Sequence, residues 1–327
     1  MKGKVLITGI TGQDGSYLAE LMLADGYEVH GMQRRTSTVT TERINHIMHN
    51  PENANKVETH YGDLADANSI VLLLNKIKPD MVINLGSMSH VKVSFDIPEY
   101  TAQVTGVAPL RILESLRALD MLHVRFYQAS SSEMFGISPA PQNEETKMLP
   151  QSPYGCAKLY AYLITKAYRK GYGAWASNGI LFNHESPRRG ENFVTKKIVR
   201  AAVRIKMGKQ KKVVLGNLKA MRDWGHAKDY MRAVKLIIEH DKPDDFVVAS
   251  GEHFSVEYFA QRVFGAMSMH FEDYLETSAD YFRPNEVPDL LGDSTKIRQV
   301  LGWKPEYTFD TLVQEMINET WNDEIKR

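Results

Sequence analysis

Lys4-Val-Leu-Ile-Thr-Gly-Ile-Thr-Gly-Gln-Asp-Gly15 is the stretch that decides the fold of this chain. The apolar, β-branched run at its start predicts a buried strand, and its glycines predict a tight turn that opens a helix. Such a turn lets the backbone approach a pyrophosphate, whose negative charge the helix N-terminus attracts. A plain structural turn is the alternative, but the strand before and the helix after favour dinucleotide binding. The predicted contacts are Gly9, Thr11, Gly12, Gln13, Asp14 and Gly15.

Further short apolar runs alternate with segments of helical length along the first half of the chain. These runs are Tyr27–His30, Val57–His60, Met81–Leu85, Arg125–Ala129 and Gly179–Phe182. Runs that are apolar throughout predict strands buried on both faces, hence an α/β fold with a doubly wound parallel sheet of Rossmann type. Pro109 lies within an expected helix, which it either kinks or begins.

The second half mixes strands such as Lys212–Gly216 with helices such as Ser255–Ala266, and a polar, turn-rich segment begins after Phe182. We therefore predict a nucleotide-binding domain over 1–182, with a return of the chain to it around 225–255. A smaller mixed α/β substrate lobe is predicted over 183–224 and 256–327.

Composition excludes several classes of protein. The 327 residues include 40 basic and 40 acidic ones, so no overall field attracts nucleic acid or an anionic membrane. A single cysteine excludes an internal disulfide. The N-terminus runs directly into a strand, and no apolar span of about 18 residues occurs, so we expect no signal peptide, no membrane span and a cytoplasmic location. No metal site is predicted.

The end of the second strand carries two arginines where NAD sites commonly carry an acid. Arg34 and Arg35, with Ser37 beside them, suit a 2′-phosphate, because Arg binds phosphate in forked pairs. This favours NADP over NAD, and a solvated or interfacial arginine pair is the alternative. Adenine and ribose contacts are predicted at the ends of the next two strands, from Asp63, Leu64, Leu85, Gly86, Ser87 and Ser89; for Leu85, core packing is an equal alternative.

A catalytic group is predicted from Ser130-Ser-Ser-Glu133 and Gln151-Ser-Pro-Tyr-Gly-Cys-Ala-Lys158. Tyr154 and Lys158 share one helix face, so we expect the ammonium to lower the pKa of the phenol and make it a usable base. Ser131 follows the fifth strand and can hydrogen-bond the alcohol that Tyr154 deprotonates. Glu133 can remove a second proton, from a carbon acidified by a new carbonyl.

These motifs resemble the extended short-chain dehydrogenase/reductase superfamily and, within it, the GDP-mannose 4,6-dehydratase family. The resemblance covers nearly the whole chain and is carried further by the segments Gly86–Phe95, Gly179–Gly190, Arg222–Tyr230 and Tyr281–Glu286. It implies dehydration of GDP-D-mannose to GDP-4-dehydro-6-deoxy-D-mannose by internal hydride transfer through NADP. Tyr154 would act as base at O4 and Glu133 as base at C5, with Lys158 at the nicotinamide ribose.

The resemblance also implies the remaining site residues. Tyr100, His184 and Arg189 would belong to the cofactor site, and Ser89, Asn183, Lys197, Arg222, Arg283 and Glu286 to the GDP-sugar site. This chain has Ser131 where the family usually has Thr, which keeps the hydroxyl but loses the methyl that restricts χ1.

Two alternatives stay open at this point. The first is another nucleotide-sugar dehydratase or a 4-epimerase of the same superfamily, although an epimerase has no use for a base at C5. The second is a non-catalytic NADP sensor, which has no reason to keep Ser131, Glu133, Tyr154 and Lys158. The resemblance further implies a homodimer or homotetramer. Tyr160, Tyr162 and Tyr168 fit a helix-pairing interface, and core packing explains them equally well.

Overall fold

The computed structural model describes residues 2–278 and 281–326 and begins with a strand, a glycine turn and a helix. Its strands are β1 Lys4–Thr8, β2 Glu28–Gln33, β3 Val57–Tyr61, β4 Met81–Asn84, β5 Arg125–Ser131, β6 Ala176–Leu181, β7 Asn183–Glu185, β8 Val213–Leu215, β9 Met221–His226, β10 Asp245–Val248, β11 His253–Ser255, β12 Leu275–Thr277 and β13 Asp289–Leu290. Its α-helices are α1 Gln13–Ala24, α2 Asn45–Met48, α3 Ala67–Ile77, α4 Val91–Asp96, α5 Pro98–Thr101, α6 Ala108–Ala118, α7 Pro153–Tyr172, α8 Val194–Lys206, α9 Ala227–Glu239, α10 Val256–Ala266, α11 Thr295–Leu301 and α12 Phe309–Lys326. Short 3₁₀ turns cover Pro51–Asn53, Ser132–Met134 and Phe271–Asp273, and a π-helical segment covers Ala102–Val107.

Seven of these strands form one sheet in the order β10-β6-β5-β4-β1-β2-β3, and all neighbouring pairs are parallel. The strand order reverses between β1 and β4, so the carboxyl ends of these two strands form the crevice where sheets of this kind bind ligands. The predicted doubly wound parallel sheet is confirmed.

Helices cover both faces of this sheet, as the apolar strands require. Along β1, Val5 and Ile7 join one buried cluster, which includes residues of α1 and α9, while Leu6 joins a second cluster with residues of α3 and α6. Side chains of a strand alternate between the two faces, so one continuous apolar run supplies both cores.

The chain leaves the large sheet after β6 and returns to it at β10. In between, β7 pairs with β9, which also pairs with β11 and β13, and β8 pairs with β12. A third buried cluster, built largely from α8, α10 and α12, forms the core of this second layer. This path supports the predicted division near residue 183, which stays a prediction.

Two local details refine the sequence interpretation. Pro109 lies at the second position of α6, and because the π-helical segment runs directly into this helix, the proline follows an irregular helical turn and not a free helix start. On α7, Tyr162 and Tyr168 are buried and only Tyr160 is exposed, so core packing is the correct explanation for two of the three tyrosines. Within the described residues, we find no helix that combines the length and the apolar character needed to span a membrane.

Candidate active site

A cavity of about 970 Å³ opens at the carboxyl ends of the central strands. It gathers the glycine turn after β1, the ends of β4 and β5, the start of α7, the segment after β6 and residues of the second layer. The predicted site residues on its wall are Gly9, Thr11, Gly12, Gln13, Asp14, Gly15, Leu85, Gly86, Ser87, Ser89, Ser131, Glu133, Tyr154, Lys158, Asn183, His184, Arg189, Lys197, Arg222, Arg283 and Glu286.

Other predicted cofactor residues lie away from this wall: Arg34, Arg35, Ser37, Asp63, Leu64 and Tyr100. Arg34 Nη1 donates a hydrogen bond of 2.6 Å to the Tyr100 hydroxyl, and the Arg35 guanidinium lies 5.6 Å from the centre of the Tyr61 ring. In this conformation the arginine pair contacts tyrosines at the protein surface, and its 2′-phosphate role remains a prediction.

The glycine turn is shaped by close backbone approaches. Gly9 has φ +72°, a left-handed value, and a Cβ there would lie 3.0 Å from backbone atoms of Gly86 after β4. At Gly15, inside α1, a Cβ would lie 2.3 Å from the Gly9 carbonyl oxygen. Helix α1 therefore begins tightly against the turn at the wall of the cavity, which is the cradle that a pyrophosphate requires.

Tyr154 and Lys158 lie one turn apart near the start of α7. Ser152 caps this helix by accepting a hydrogen bond from Gly155 N, and Pro153 occupies the first turn. The Tyr154 side chain and the Lys158 ammonium are both buried, and Nζ donates a 2.6 Å hydrogen bond to the Ala129 carbonyl, at 5.8 Å from the centre of the Tyr154 ring. The helix thus delivers both groups to the end of β5.

The pKa values of this pair differ from the sequence expectation. Burial raises the pKa of Tyr154 to about 12, a hydrogen bond from Ser131 acts in the opposite direction, and the Glu133 charge adds to the rise. Burial also lowers the pKa of Lys158 to about 8. The expected lowering of the phenol pKa by the ammonium does not appear, because desolvation outweighs the charges around the hydroxyl.

Glu133 lies on the 3₁₀ turn that follows β5, and Ser131 caps this turn by accepting a hydrogen bond from Glu133 N. The carboxylate is buried, and its Oε2 has no hydrogen-bond partner among the described residues. Its Oε1 lies 3.5 Å from Arg283 Nη1. A Cβ on Gly155 would lie 2.8 Å from the Glu133 carbonyl oxygen, so this glycine lets the start of α7 pack closely against the acid.

The opposite wall carries cations from the second layer. Arg222 is buried on β9; its Nη1 donates to the Val287 carbonyl, and its Nη2 lies 3.1 Å from Glu286 Oε1. Arg283 lies 3.4 Å from the same oxygen, and Lys197 Nζ lies 3.4 Å from the centre of the Tyr281 ring. Asn183 Oδ1, also buried, has no hydrogen-bond partner in the described part of the chain.

Asp14 and His184 connect the glycine turn to the segment after β6. His184 Nε2 lies 2.9 Å from Asp14 Oδ2. Burial would raise the pKa of Asp14, but the charge and hydrogen bond of His184 prevail and lower it to about 2. Arg189 on the same segment pairs with Glu185 at 3.0 Å.

Some wall residues were missed by the sequence interpretation. Arg43 lies on the wall, with Nε donating to the Arg188 carbonyl at 2.8 Å and Nη1 to the Thr11 carbonyl at 3.4 Å. His90 and Lys92, after β4, and Asn217, after β8, also line the cavity. No strand precedes Arg43 directly, so the rule that favours strand ends could not find it. With Arg43 and Lys92, seven Lys and Arg side chains among residues 2–278 and 281–326 line the cavity, which suits a ligand with several phosphates.

A second polar cluster, His30, Glu58 and His60, lies on β2 and β3, and its donor atoms are close enough to suggest a metal. His30 Nδ1 lies 3.0 Å from His60 Nε2, while His30 Nε2 lies 2.8 Å from Glu28 Oε1. With the ring centres 5.2 Å apart, the two nitrogens point almost straight at each other. Facing nitrogens at this distance form an N–H···N hydrogen bond and leave no room for an ion between them.

Three comparisons place this chain among known proteins. The family model described as GDP-mannose 4,6 dehydratase matches residues 6–316. GDP-mannose 4,6 dehydratase 2 of Arabidopsis thaliana is 54% identical, over 96% of this chain and 86% of that protein. The human GDP-mannose 4,6 dehydratase is 48% identical, over 96% of this chain and 90% of that protein.

Solved structures share the fold at lower identity. The dTDP-glucose 4,6-dehydratase of Bacillus anthracis, in complex with NAD, has a TM-score of 0.84 at 18% identity, covering 98% of this chain and 97% of that one. The UDP-glucose 4-epimerase of Thermus thermophilus, in complex with NAD, has a TM-score of 0.82 at 21% identity, covering 97% and 98%. The family model spans almost all of the chain, and the plant and human GDP-mannose 4,6 dehydratases match it along most of their length. This chain therefore belongs to the GDP-mannose 4,6-dehydratase family.

Proposed function

We propose that this protein is a GDP-mannose 4,6-dehydratase, which converts GDP-D-mannose to GDP-4-dehydro-6-deoxy-D-mannose and water. The observation that carries the proposal is the meeting of two proton acceptors in one cation-lined cavity. Tyr154 is suited to removing a proton from an alcohol, and the buried carboxylate of Glu133 is suited to removing one from carbon. A dehydrogenation followed by elimination of water is the simplest chemistry that needs both.

NADP is the cofactor that this site fits. Its pyrophosphate would lie on the glycine turn and the N-terminus of α1, where Gly9 and Gly15 hold the backbone in a close approach. Lys158 would hold the nicotinamide ribose. Arg34 and Arg35, or the newly found Arg43, would supply the guanidinium for a 2′-phosphate. When bound, the dinucleotide would supply a hydride acceptor and donor, so that hydride lost from C4 of the sugar would return to C6 and the reaction would need no external oxidant.

The first proton to move is the one on O4. Tyr154 Oη takes it while the Ser131 hydroxyl holds the sugar oxygen, and Lys158 keeps a positive charge beside the developing phenolate. With its pKa near 12 in the free chain, Tyr154 is almost entirely a neutral phenol at neutral pH, and little of the phenolate base is present. Further positive charge brought by the ligands would favour the phenolate form.

The second proton is the one on C5, acidified by the new 4-keto group. Glu133 removes it and passes it to the departing C6 hydroxyl, which leaves as water, so a double bond remains between C5 and C6. Because Oε2 accepts no hydrogen bond from the described residues, it is available for this proton. The hydride taken from C4 then returns to C6, which becomes a methyl carbon, and C5 takes up a proton that balances the one Tyr154 removed from O4.

The second layer would hold the nucleotide sugar. Arg222 and Arg283 face the cavity with Lys197, and their guanidinium groups suit a diphosphate. Asn183, Ser89 and Glu286 would hydrogen-bond hydroxyl groups of the ligand. Since Arg283 lies between Glu133 and Glu286 in the free chain, a diphosphate would also compete with Glu133 for this cation.

Self-association is a further part of the proposal. The face of α7 that points away from the core carries the exposed side chains Tyr160 and Leu163, an apolar surface suited to pairing with the same helix of a second copy. We propose a homodimer through this face. The exposed loop that begins at Arg34 would join two dimers into a homotetramer.

The decisive experiment follows one deuterium atom. The enzyme, purified with its bound dinucleotide, is incubated with GDP-mannose carrying deuterium at C4, and the product is analysed by mass spectrometry and NMR. We expect the loss of one water, with deuterium found at C6 and without added NADPH. An unchanged mass, as a 4-epimerase or an inert sensor would give, or deuterium lost to solvent, would contradict the proposal.

A further inference from the structure

His184 has an acceptor facing each of its ring nitrogens. Nδ1 lies 2.7 Å from the Phe182 carbonyl oxygen, and Nε2 lies 2.9 Å from Asp14 Oδ2. A neutral imidazole carries one N–H and could satisfy only one of these contacts as a donor. The proton between Asp14 and His184 is better placed on the imidazole than on Asp14. The other oxygen of Asp14 accepts a hydrogen bond from Gln13 Nε2, as a carboxylate does. The geometry therefore fits an imidazolium paired with a carboxylate.

This ion pair lies at a junction between two parts of the cavity wall. Asp14 belongs to the first turn of α1, which closes the glycine loop, and His184 belongs to β7 in the second layer. Around them, Gln13 Nε2 donates to the His184 carbonyl, and Ser186 Oγ donates to Gln13 Oε1. The Tyr230 ring stacks on the imidazole with 4.6 Å between ring centres, a position that favours a cation.

We propose that His184 is a positioning residue whose positive charge holds the segment after β6 against the glycine loop, so that dinucleotide binding depends on its protonation. The proposal rests on the NADP site proposed above. It identifies the contact that holds two parts of the wall of that site together. A charge-assisted hydrogen bond is about twice as strong as a neutral one. We therefore expect the contact between Asp14 and His184 to weaken when the imidazolium loses its proton.

The groups around His184 determine whether its positive charge is lost at high or at low pH. Burial alone would lower the pKa of His184, but the charge and hydrogen bond of Asp14 raise it above its usual value. The charge is therefore present below this raised pKa and is lost as the pH rises through it. Other titratable groups face the pair: Arg189 and Tyr230 beside the imidazole, and Tyr127, Tyr154 and Lys158 near Asp14.

Two measurements test the proposal. The first is ¹⁵N NMR of the imidazole groups in dinucleotide-free enzyme, with the His184 signals assigned by their absence in His184→Gln. We expect both ring nitrogens to stay protonated above pH 6.5 in the wild type, and the transition to move to lower pH in Asp14→Asn. A ring that is already neutral below pH 6.5 in the wild type would overturn the proposal.

The second measurement is the Kd of NADP between pH 6.5 and 9 by calorimetry. We expect the wild-type Kd to rise by roughly tenfold more than Lys158 alone would cause as His184 loses its proton, and His184→Gln to bind weakly with only the shallower slope that Lys158 leaves. Ser186→Ala serves as the matched control, because it removes a neutral hydrogen bond from the same junction and should weaken binding equally at every pH. Equal slopes in the wild type and His184→Gln would overturn the proposal. An absence of NADP binding at every pH would count against the NADP site itself, and the NMR result would still decide the charge of His184.

Discussion

At the scale of single residues, the base proposed at C5, Glu133, is the group that a dehydratase needs and an epimerase does not. We predict that Glu133→Gln lowers the rate of dehydration by about 10²–10⁴-fold, because an amide cannot take the C5 proton. The O4 proton still has an acceptor in Tyr154, so the variant should stop at the 4-keto sugar with reduced nicotinamide visible by its absorbance. As a control, Glu286→Gln should mainly raise KM for GDP-mannose. If Glu133→Gln still dehydrates GDP-mannose at the full rate, Glu133 is not the base at C5.

We expect Lys158 to set the alkaline limit of activity. Its pKa of about 8 is lowered by burial, so the ammonium is charged below pH 8 and neutral above it. We predict that kcat/KM falls as the pH rises through about 8, since the phenolate of Tyr154 then loses its neighbouring cation. In Lys158→Arg the guanidinium keeps its charge, and although activity should be lower, this alkaline decline should vanish from the pH profile. A decline at the same pH in both enzymes would assign it to another group.

At the scale of elements, the glycine turn and α1 are held at backbone contact. A Cβ on Gly15 would meet the Gly9 carbonyl at 2.3 Å and Ile10 Cα at 2.5 Å, both of them backbone atoms that cannot move aside alone. We predict that Gly15→Ala lowers the free energy of unfolding by about 1–3 kcal/mol and weakens NADP binding. In contrast, Gly265 on α10 has nothing within 4 Å of such a Cβ. Gly265→Ala should therefore raise stability by up to about 1 kcal/mol, as measured by chemical denaturation; equal effects at both positions would contradict this account.

Much of the large sheet was predictable, because its strands are apolar on both faces and glycine or polar residues mark their ends. The prediction ended β5 at Ala129, whereas the strand continues to Ser131, since Ser130 and Ser131 pair with β6 although their side chains are polar. Pattern left open whether Tyr162 and Tyr168 form an interface or pack in the core, because a helix between sheet and solvent buries aromatic rings on more than one side.

Part of the candidate site was predictable because local sequence rules locate its residues. Ser131 and Tyr154 follow from rules about strand ends and helix faces, which are local. The approach of Arg283 to Glu133 depends on how the second layer folds back over the sheet, through pairings between distant strands such as β7 and β9. The resemblance to a family supplied Arg283 as a site residue, but it did not supply this contact. Arg43 was found by neither route, since its position comes from tertiary contacts of a loop.

At the scale of the whole molecule, one buried carboxylate joins the two sheets. Asp223 lies on β9 of the second layer, and its oxygens accept hydrogen bonds from Ser250 N, Ser250 Oγ and Gly251 N, just after β10 of the large sheet. Gly292 N, after β13, adds a longer contact of 3.3 Å. The acid thus fixes the second layer, with Arg222 on the neighbouring position of the same strand, against the sheet that carries the catalytic residues.

This junction should make stability depend on pH in an unusual direction. Burial raises the pKa of Asp223 to about 6, although its hydrogen bonds act to lower it. Between its ordinary value of 3.8 and about 6, the folded protein holds a proton that the unfolded chain has released, so this residue's contribution to stability falls as the pH rises. Asparagine cannot titrate. We predict that the free energy of unfolding of the wild type, minus that of Asp223→Asn, decreases by about 2–3 kcal/mol from pH 4 to pH 6. Urea denaturation across this range measures it, and a difference that is constant or grows with pH would show that the hydrogen bonds, not burial, control this carboxylate.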